Sequence, residues 1–190
     1  EPVIPEYEEL LMAASVPKCM KGFVKGILNL IGEKRKAKLL ENGRELTEME
    51  SRKLSDRLIT LKKEFIKVWD ENKLDAIISP GTGNPAYKHL YSGYINLSCL
   101  YTYIFNILNL PTGAVPITVV KEGEDKYPVE LSGYKDSLYK KQVENMKGTV
   151  GLPVGVQVST LPYEEELCVN VMRQLEEEIK FNYPLPFNPK

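Results

Sequence analysis

The residues whose types could do chemistry are few and far apart. The 190 residues include one histidine, His89, and three cysteines, Cys19, Cys99 and Cys168. Ser-His-Asp and Cys-His sites need a histidine beside the nucleophile, and no GxSxG motif surrounds His89. The cysteines form no CxxC pair and no Cys/His cluster, so they predict neither a zinc site nor a disulfide framework. We expect an exposed loop histidine and reduced, mostly packed thiols in a reducing compartment.

A glycine-rich loop and two runs of glutamates resemble functional motifs, but neither has the further residues that such motifs need. The loop Gly81–Tyr87 is rich in glycine, as phosphate-binding loops are, but no GK[ST] or GxGxxG follows and Pro85 interrupts any helix start. The carboxylates of Glu164–Glu166 and Glu176–Glu178 fall on helix surfaces, where charge runs are usually solvated. The residues themselves therefore predict no catalytic site, no metal site and no cofactor.

The composition is that of an ordinary soluble globular domain. Hydrophobic residues make up 43% and charged residues 27% of the chain, and the formal net charge is −1. This balance argues against a nucleic-acid-binding protein that relies on global charge. No run approaches the roughly 20 apolar residues of a spanning helix, and no signal-peptide pattern occurs. The first residues, 1–5, have the composition of an extended connector, and we expect further chain before them.

The elements that must position any site alternate between helices and short strands, which predicts an α/β fold with a mixed sheet covered by helices. Three short strands are few for an independent sheet, so we expect the fold to be incomplete on its own. The predicted helices are 6–16, 18–31, 45–72, 92–108, 137–147 and one that Pro162 starts, and the predicted strands are 74–80, 110–120 and 151–160.

Residues 18–31 carry an apolar stripe with helical spacing. A basic amphipathic helix of this kind covers a protein core or lies in a membrane interface with its lysines toward the headgroups. The pattern alone favours the core-covering alternative and leaves both open. The stripe consists of Met20, Phe23, Val24, Ile27, Leu28 and Ile31.

The helix predicted at 45–72 has a start signal of its own. Thr47 and Glu50 have the spacing of a capping box, in which each side chain binds the other residue's backbone N–H. Leucines and aromatic residues follow at helical spacing, which predicts a long helix that covers the core.

Three blocks of sequence resemble a known enzyme family. In order and spacing, they are similar to the C-terminal third of the amidase-signature serine hydrolases and, among them, to the fatty acid amide hydrolases. The resemblance extends from about Glu8 to Ile179. The blocks are LDAIISPGTGNPA (74–86), LYTYIFNILNLPTGAVPITVV (100–120) and GLPVGVQVSTLPYEEELC (151–168).

The resemblance changes the interpretation of the first helices. These hydrolases carry a helical cap, apolar and basic, which enters one membrane leaflet beside the substrate entrance, and residues 9–31 occupy its place. The resemblance therefore implies a membrane-cap-like segment at 1–44, with the apolar stripe as its contact, followed by the C-terminal part of an amidase domain at 45–190. It also implies an intracellular protein that is peripherally associated with a membrane.

The resemblance places no catalytic residue in this chain. The family's Ser–Ser–Lys triad and its Gly/Ser-rich motif lie N-terminal to the matched region, and nothing here resembles GGSSGG. The residues that correspond to walls of the acyl-chain channel are Gly93, Asn96, Cys99, Tyr103 and Tyr163. An ordinary packing role in the core remains the alternative for all five.

The function that the resemblance implies is that of a portion of a serine amidase. The chain supplies the membrane cap and the channel wall, while hydrolysis of fatty acyl amides, with water as second substrate, requires the missing N-terminal part. The alternative is a catalytically inactive amidase-fold subunit with a structural role in a larger assembly. The expected partners are the rest of the amidase fold or another chain over the open sheet, a membrane surface and a fatty acyl amide, with no nucleic acid.

Overall fold

The computed structural model of the chain describes residues 11–12, 15–43, 46–89, 91, 100–126 and 135–182. Helices and short strands alternate as the sequence predicts, and the predicted α/β class is confirmed. In chain order the elements are α1 (Lys18–Leu30), α2 (Lys34–Asn42), α3 (Glu48–Glu71), β1 (Ile77–Pro80), α4 (Leu100–Leu108), β2 (Thr112–Val119), α5 (Ser137–Met146), β3 (Pro153–Ser159) and α6 (Glu165–Ile179).

The chain divides into two compact units. The hairpin unit consists of the described residues of Glu1–Asp56, Tyr87–Leu97 and Lys126–Lys147, and it contains α1, α2 and α5. The sheet unit consists of the described residues of Arg57–Ala86, Ser98–Asp125 and Gly148–Lys190, and it contains the three strands with α4 and α6. Helix α3 begins in the first unit and ends in the second. The division that the sequence predicts at residues 44 and 45 stays a prediction.

The described strands form one open antiparallel sheet in the order β1-β3-β2. The register of β2 against β3 shifts between Pro116 and Thr118, which is the mark of a β-bulge. Gly155 lies beside this shift, where a Cβ atom would come within 2.8 Å of the Val115 carbonyl oxygen. Glycine is therefore required at this position, since backbone that close leaves no room for a side chain.

The core of the sheet unit lies where α4 turns into β2. Phe105 and Leu108 on α4 and Leu110 after it are buried together, and Phe65 and Ile77 pack against them. On another part of the sheet α6 packs against β2 and β3, and its Cys168 is 4% exposed. The core contacts of Phe105 and Leu108 bury one face of α4, a helix that carries no charged residue.

Gln157 is a buried polar side chain that ties the sheet to α4. It lies in the middle of β3, is 3% exposed and is surrounded by apolar strand residues. Its side-chain Nε2 lies 3.0 Å from Ser79 Oγ and 2.9 Å from each of the Pro80 and Tyr101 carbonyl oxygens, so its two N–H groups are shared among three acceptors. One amide group therefore satisfies the end of β1 and the first turn of α4 at once, as a buried polar group must.

Replacing Gln157 by leucine should destabilise the chain strongly. The leucine fills a similar volume but removes the buried donor that the three acceptors share, which should lower the free energy of unfolding by about 2–3 kcal/mol. Urea unfolding followed by circular dichroism measures this loss. Ser79→Ala is the matched control, because it removes one acceptor and leaves both carbonyl contacts, and its cost should stay below about 1 kcal/mol. Equal losses in the two variants would contradict the proposed role of the amide.

Helix α3 starts as the sequence predicts. The Thr47 backbone N–H donates to Glu50 Oε2 at 2.9 Å, and the Glu50 N–H donates to Thr47 Oγ1 at 3.3 Å, so the capping box is confirmed. The predicted coverage of a core by this helix is only partly observed. Trp69 is buried against Phe65, with ring centroids 5.9 Å apart, whereas four aliphatic residues predicted for the same face are exposed. They are Leu54, Leu58, Leu61 and Val68.

Helix α2 was not predicted from the sequence, which shows only a basic run at this point. It packs against α1 to form a helical hairpin, and Ala37 and Leu40 are its buried residues. Lys21 on α1 donates to the Gly43 carbonyl oxygen at the end of α2. The hairpin therefore closes on few apolar groups and on a lysine that binds the carbonyl after the last turn.

A set of side-chain contacts, here called the clasp, holds the start of α2 to the start of α5. Arg35 binds both carboxylate oxygens of Asp136, with Nε at 2.6 Å from Oδ2 and Nη2 bonded to Oδ1. Glu33 accepts from the Ser137 backbone N–H at 2.8 Å and from its hydroxyl at 2.7 Å. Asp136 also caps α5, since it accepts from the Tyr139 N–H at 3.0 Å.

Asp136 is a buried carboxylate that stays charged. Its side chain is 1% exposed, while that of Arg35 is 24% exposed. Burial alone would raise the pKa of Asp136, but the hydrogen bonds from Arg35 and the Tyr139 N–H, with the charge of the guanidinium, hold that pKa below its ordinary value. The clasp is therefore strongest in the ionised state.

Candidate functional site

The exposed face of α1 is the most distinctive surface of the described residues. No residue of α1 is buried, and large apolar side chains on this helix face the solvent. Phe23 is 69% exposed and Leu30 is 87% exposed, values unusual for residues of this size in a soluble protein. We name this surface the apolar face of α1, and its members are Met20, Phe23, Ile27, Leu30 and Ile31.

The predicted membrane-contact stripe is divided between two sides of the helix. Four of its residues lie on the apolar face, whereas Val24 and Leu28 are half-buried on the side of α1 nearer to α2. At 100° per residue, these two lie furthest round the helix from Phe23. The sequence analysis missed Leu30, although its position seven residues after Phe23 places it on the same face.

The segment that contains the apolar face carries an excess of positive charge. Residues 15–43 contain seven Lys or Arg residues and two Glu residues, a net charge of +5. Lys25 pairs with Glu41 at 2.9 Å, and Arg35 is held in the clasp, but Lys18, Lys34 and Lys38 are exposed. On α1 itself the lysines lie on the side of the helix opposite Phe23, so the helix is amphipathic. None of the helices in the described part of the chain is both long enough and apolar enough to cross a bilayer.

The predicted channel-wall residues are placed only in part. Gly93, Asn96 and Cys99 lie outside the described residues. Tyr103 is half-buried in the middle of α4. Tyr163 lies in the turn between β3 and α6 and is 92% exposed. A role for these residues in a channel stays a prediction.

Tyr163 borders a shallow depression of about 250 Å³ in the sheet unit. The depression is formed by the turn before β2 and the turn before α6. Each of these turns contains a non-glycine residue with left-handed backbone, Asn109 with φ 56° and Tyr163 with φ 71°. Asparagine tolerates this conformation, but for a bulky residue it costs energy that often marks a functional position. The lining residues are Asn109, Leu110, Pro111, Pro162, Tyr163 and Glu165.

Two substitutions of Tyr163 should separate its backbone from its side chain. Because the side chain is exposed, Tyr163→Gly should change the free energy of unfolding by less than about 0.5 kcal/mol, since relief of the left-handed backbone offsets the entropy of glycine. Tyr163→Val should destabilise by about 1–2 kcal/mol, because a β-branched residue suits this conformation worst. Thermal unfolding measures both, and a glycine variant as unstable as the valine variant would show that the aromatic ring itself supports the fold.

A second cluster of ionisable groups lies in the hairpin unit, at the C-terminal half of α5. The Tyr91 hydroxyl donates to Glu144 Oε1 at 2.7 Å, and Lys141 Nζ lies 3.1 Å from Glu144 Oε2 and 4.9 Å from the Tyr91 ring centre. The hydrogen bond to Glu144 raises the pKa of Tyr91, and the same bond lowers the pKa of Glu144. The hydrogen bond to Glu144 raises the pKa of Lys141. All three groups therefore keep their ordinary charge at neutral pH, which is the behaviour of a structural tether.

The remaining candidates for chemistry are spread through the described residues. His89 is exposed in a turn, as predicted, Cys19 is exposed on α1, and Cys168 is buried. Within the ranges described, no three His, Cys, Asp or Glu side chains come together in a way that could hold a metal ion. The described side chains thus form contacts and surfaces, and they do not assemble a nucleophile with its base.

Comparison with known proteins identifies the family. The family model "Amidase" matches residues 13–169. The chain is 30% identical over 169 residues to a pig protein named fatty-acid amide hydrolase 1, with 88% of this chain covered. It is also 30% identical over 115 residues to fatty acid amide hydrolase 1 of Caenorhabditis elegans, with 60% of this chain covered.

A solved structure of fatty acid amide hydrolase has the same fold, with a TM-score of 0.59 at 22% identity over 88% of this chain. The chain spans 29% and 20% of the lengths of the pig and nematode proteins and 33% of the solved structure. The observed sheet and helices are thus a part of a larger fold. Because the family model covers most of its residues, the chain belongs to the amidase family.

Proposed function

We propose that the chain is the C-terminal portion of a serine amidase similar to the fatty acid amide hydrolases, and that it supplies the membrane cap and a wall of the acyl channel. Hydrolysis of fatty acyl amides then requires the N-terminal part of the fold, since the 190 residues contain no Gly/Ser-rich nucleophile motif. The family match over residues 13–169 carries this proposal, and the names of the two curated relatives supply the substrate class.

The membrane cap is supported by the surface of the hairpin. Exposure of the apolar face of α1 to water is unfavourable. Transfer of this face into the outer part of a bilayer is favourable by about 25 cal/mol per Å² of apolar surface removed from water. The exposed lysines of the same hairpin add an attraction to anionic lipid headgroups, because long lysine side chains can extend their charge toward them. A peripheral position on a membrane follows, with α1 parallel to the surface.

The partner over the open sheet is supported by apolar residues that nothing in the described part of the chain covers. On α4, Leu100, Tyr101 and Ile107 are 51–60% exposed, although this helix has no charged residue. Apolar surface of this extent in a soluble protein usually marks an interface. We assign it to the remainder of the amidase fold, since the solved structure with the same fold is about three times as long as the matched part.

The alternative function is an amidase-fold subunit without catalysis, which stabilises a larger assembly. The exposed faces of α3 and α4 would serve such a subunit as well as they serve a portion of an enzyme. In that case an unrelated chain covers the open edge of the sheet.

Hydrolysis of a long-chain acyl amide distinguishes the two functions. The polypeptide that carries this sequence in its native source is purified with an antibody raised against the 190-residue chain, and oleamide is the probe. The proposal predicts release of free fatty acid by the native polypeptide and none by the 190-residue chain alone. No release by the native polypeptide would favour the structural alternative, and release by the chain alone would overturn the proposal.

A further inference from the structure

The two ends of α5 bind two different parts of the hairpin unit. At its N-terminal end, the clasp joins Asp136 and Ser137 to Arg35 and Glu33 of the α1–α2 hairpin. The four contacts link residues that are 101 or 104 positions apart in the sequence. The clasp is thus the long-range connection between the hairpin and α5.

At its C-terminal end, α5 binds a short segment that we name the lead-in (Tyr87–His89 and Tyr91). The Lys88 backbone N–H donates to Asn145 Oδ1 at 3.0 Å, and Lys88 Nζ donates to the Glu144 carbonyl oxygen at 3.0 Å. Asn145 is 0% exposed, so packing fixes the position of its side chain. Tyr91 adds its hydrogen bond to Glu144. The backbone of the lead-in is therefore held by side chains of α5.

Helix α5 is short and rigid enough to transmit position between its ends. It has 10 residues, which corresponds to a length of about 15 Å. One side of it is buried, at Leu138, Gln142 and Asn145, and Asp136 fixes its first turn. A capped and packed helix of this length moves as one body, so a displacement at the clasp reaches Asn145.

We propose that α5 is a strut that couples the α1–α2 hairpin to the lead-in, so that the order of the lead-in depends on the clasp. The functional meaning rests on the proposed function: the lead-in directly precedes Gly93, Asn96 and Cys99, which the family resemblance places on the acyl channel. Contact of α1 with a membrane then stabilises the hairpin, the clasp and the lead-in together.

The backbone amide of Lys88 reports on this coupling, because its acceptor is a side chain of α5. Hydrogen exchange is measured at single-residue resolution on the full chain. Arg35→Met, which breaks the clasp, should accelerate exchange of the Lys88 amide by about tenfold. Lys25→Met is the matched control, since it removes an exposed ion pair of the same hairpin and leaves the clasp intact. Asn145→Ala is the positive control, because it removes the acceptor directly.

The expected result is faster exchange at Lys88 in Arg35→Met and Asn145→Ala, with unchanged exchange at Lys88 in Lys25→Met. The comparison uses conditions in which Lys88 exchanges by local opening, because core amides such as those of β3 follow the lower global stability of Arg35→Met. Faster exchange at Tyr139 with wild-type exchange at Lys88 would overturn the proposal, because the clasp would then be broken without an effect on the lead-in. If Arg35→Met unfolds the chain, Asp136→Asn decides the question by the same amide, since asparagine keeps the helix cap and removes the ion pair.

Addition of phosphatidylcholine–phosphatidylserine vesicles tests the contact of α1 with a membrane separately. Slower exchange along α1 on vesicles supports the proposed membrane contact, and no change there overturns that contact without touching the strut. A clasp variant that leaves Lys88 unaffected overturns the strut without touching the membrane contact. Exchange along α1 therefore tests the membrane contact, and exchange at Lys88 tests the strut.

Discussion

Replacing Phe23 and Ile27 by aspartate should reduce partitioning of the chain onto anionic vesicles by about 100-fold or more. Each side chain is exposed in water, at 69% and 43%, and each would be buried in the interface. Burial of such a residue is worth about 1.5–3 kcal/mol, so the loss of two exceeds two powers of ten in the partition coefficient. Co-sedimentation with sucrose-loaded vesicles measures the change.

The matched control for this experiment lies on another exposed apolar surface. Leu54 and Leu58 on α3 are 48% and 40% exposed, and their double replacement by aspartate adds the same charge on a different helix. This control should retain most of the binding, apart from a modest loss due to the added negative charge, about 1 kcal/mol or less per charge near the surface. Equal losses in both double variants would contradict a specific role for α1, and omission of the anionic lipid should weaken binding of the wild type.

Replacing Arg35 by methionine should lower the free energy of unfolding by about 3 kcal/mol, because it leaves the Asp136 carboxylate buried without its counter-ion. Asp136→Ala should cost somewhat less, since Arg35 is 24% exposed and can rehydrate in part. Asp136→Asn should cost least of the three, because asparagine still caps α5. Urea unfolding at neutral pH gives all three values. An Arg35→Met variant as stable as the wild type would show that the clasp contributes nothing to stability.

The pH dependence of stability follows from the direction of the Asp136 shift. The pKa of this carboxyl is lower in the folded chain than its ordinary value, so its contribution is complete above the unfolded pKa of about 3.9. The contribution is lost as pH falls through the folded pKa. The stability difference between the wild type and Asp136→Asn should therefore be constant near neutral pH and shrink below about pH 4. A difference that grows on acidification would contradict the assignment.

Local sequence patterns predicted the helices well. The helix at 18–31 and the capping box at Thr47 depend on residues three to eleven positions apart, and the structure confirms both. Helix α2 was missed because only Ala37, Leu39 and Leu40 interrupt its basic and polar residues. Its position depends on α1 and on the clasp, and no local pattern reports those contacts.

The features that depend on distant contacts were beyond sequence reasoning. Arg35 and Asp136 are 101 residues apart, and each looks like an ordinary surface charge in its own segment. Gln157 looks like an outward-facing residue in an apolar strand, yet it bonds to three acceptors from two other elements. The division of the α1 stripe has the same origin, since only packing on α2 decides which apolar residues turn inward.

The measurement that tests the central claim most directly is labelling of the native polypeptide with a fluorophosphonate, which reacts with activated serines. Mass spectrometry then locates the modified residue. The account predicts a labelled serine in a Gly/Ser-rich segment outside the 190 residues, protection from labelling by oleamide, and no label on the chain alone. A native polypeptide that takes no label, or a label on a serine within this chain, would contradict the account.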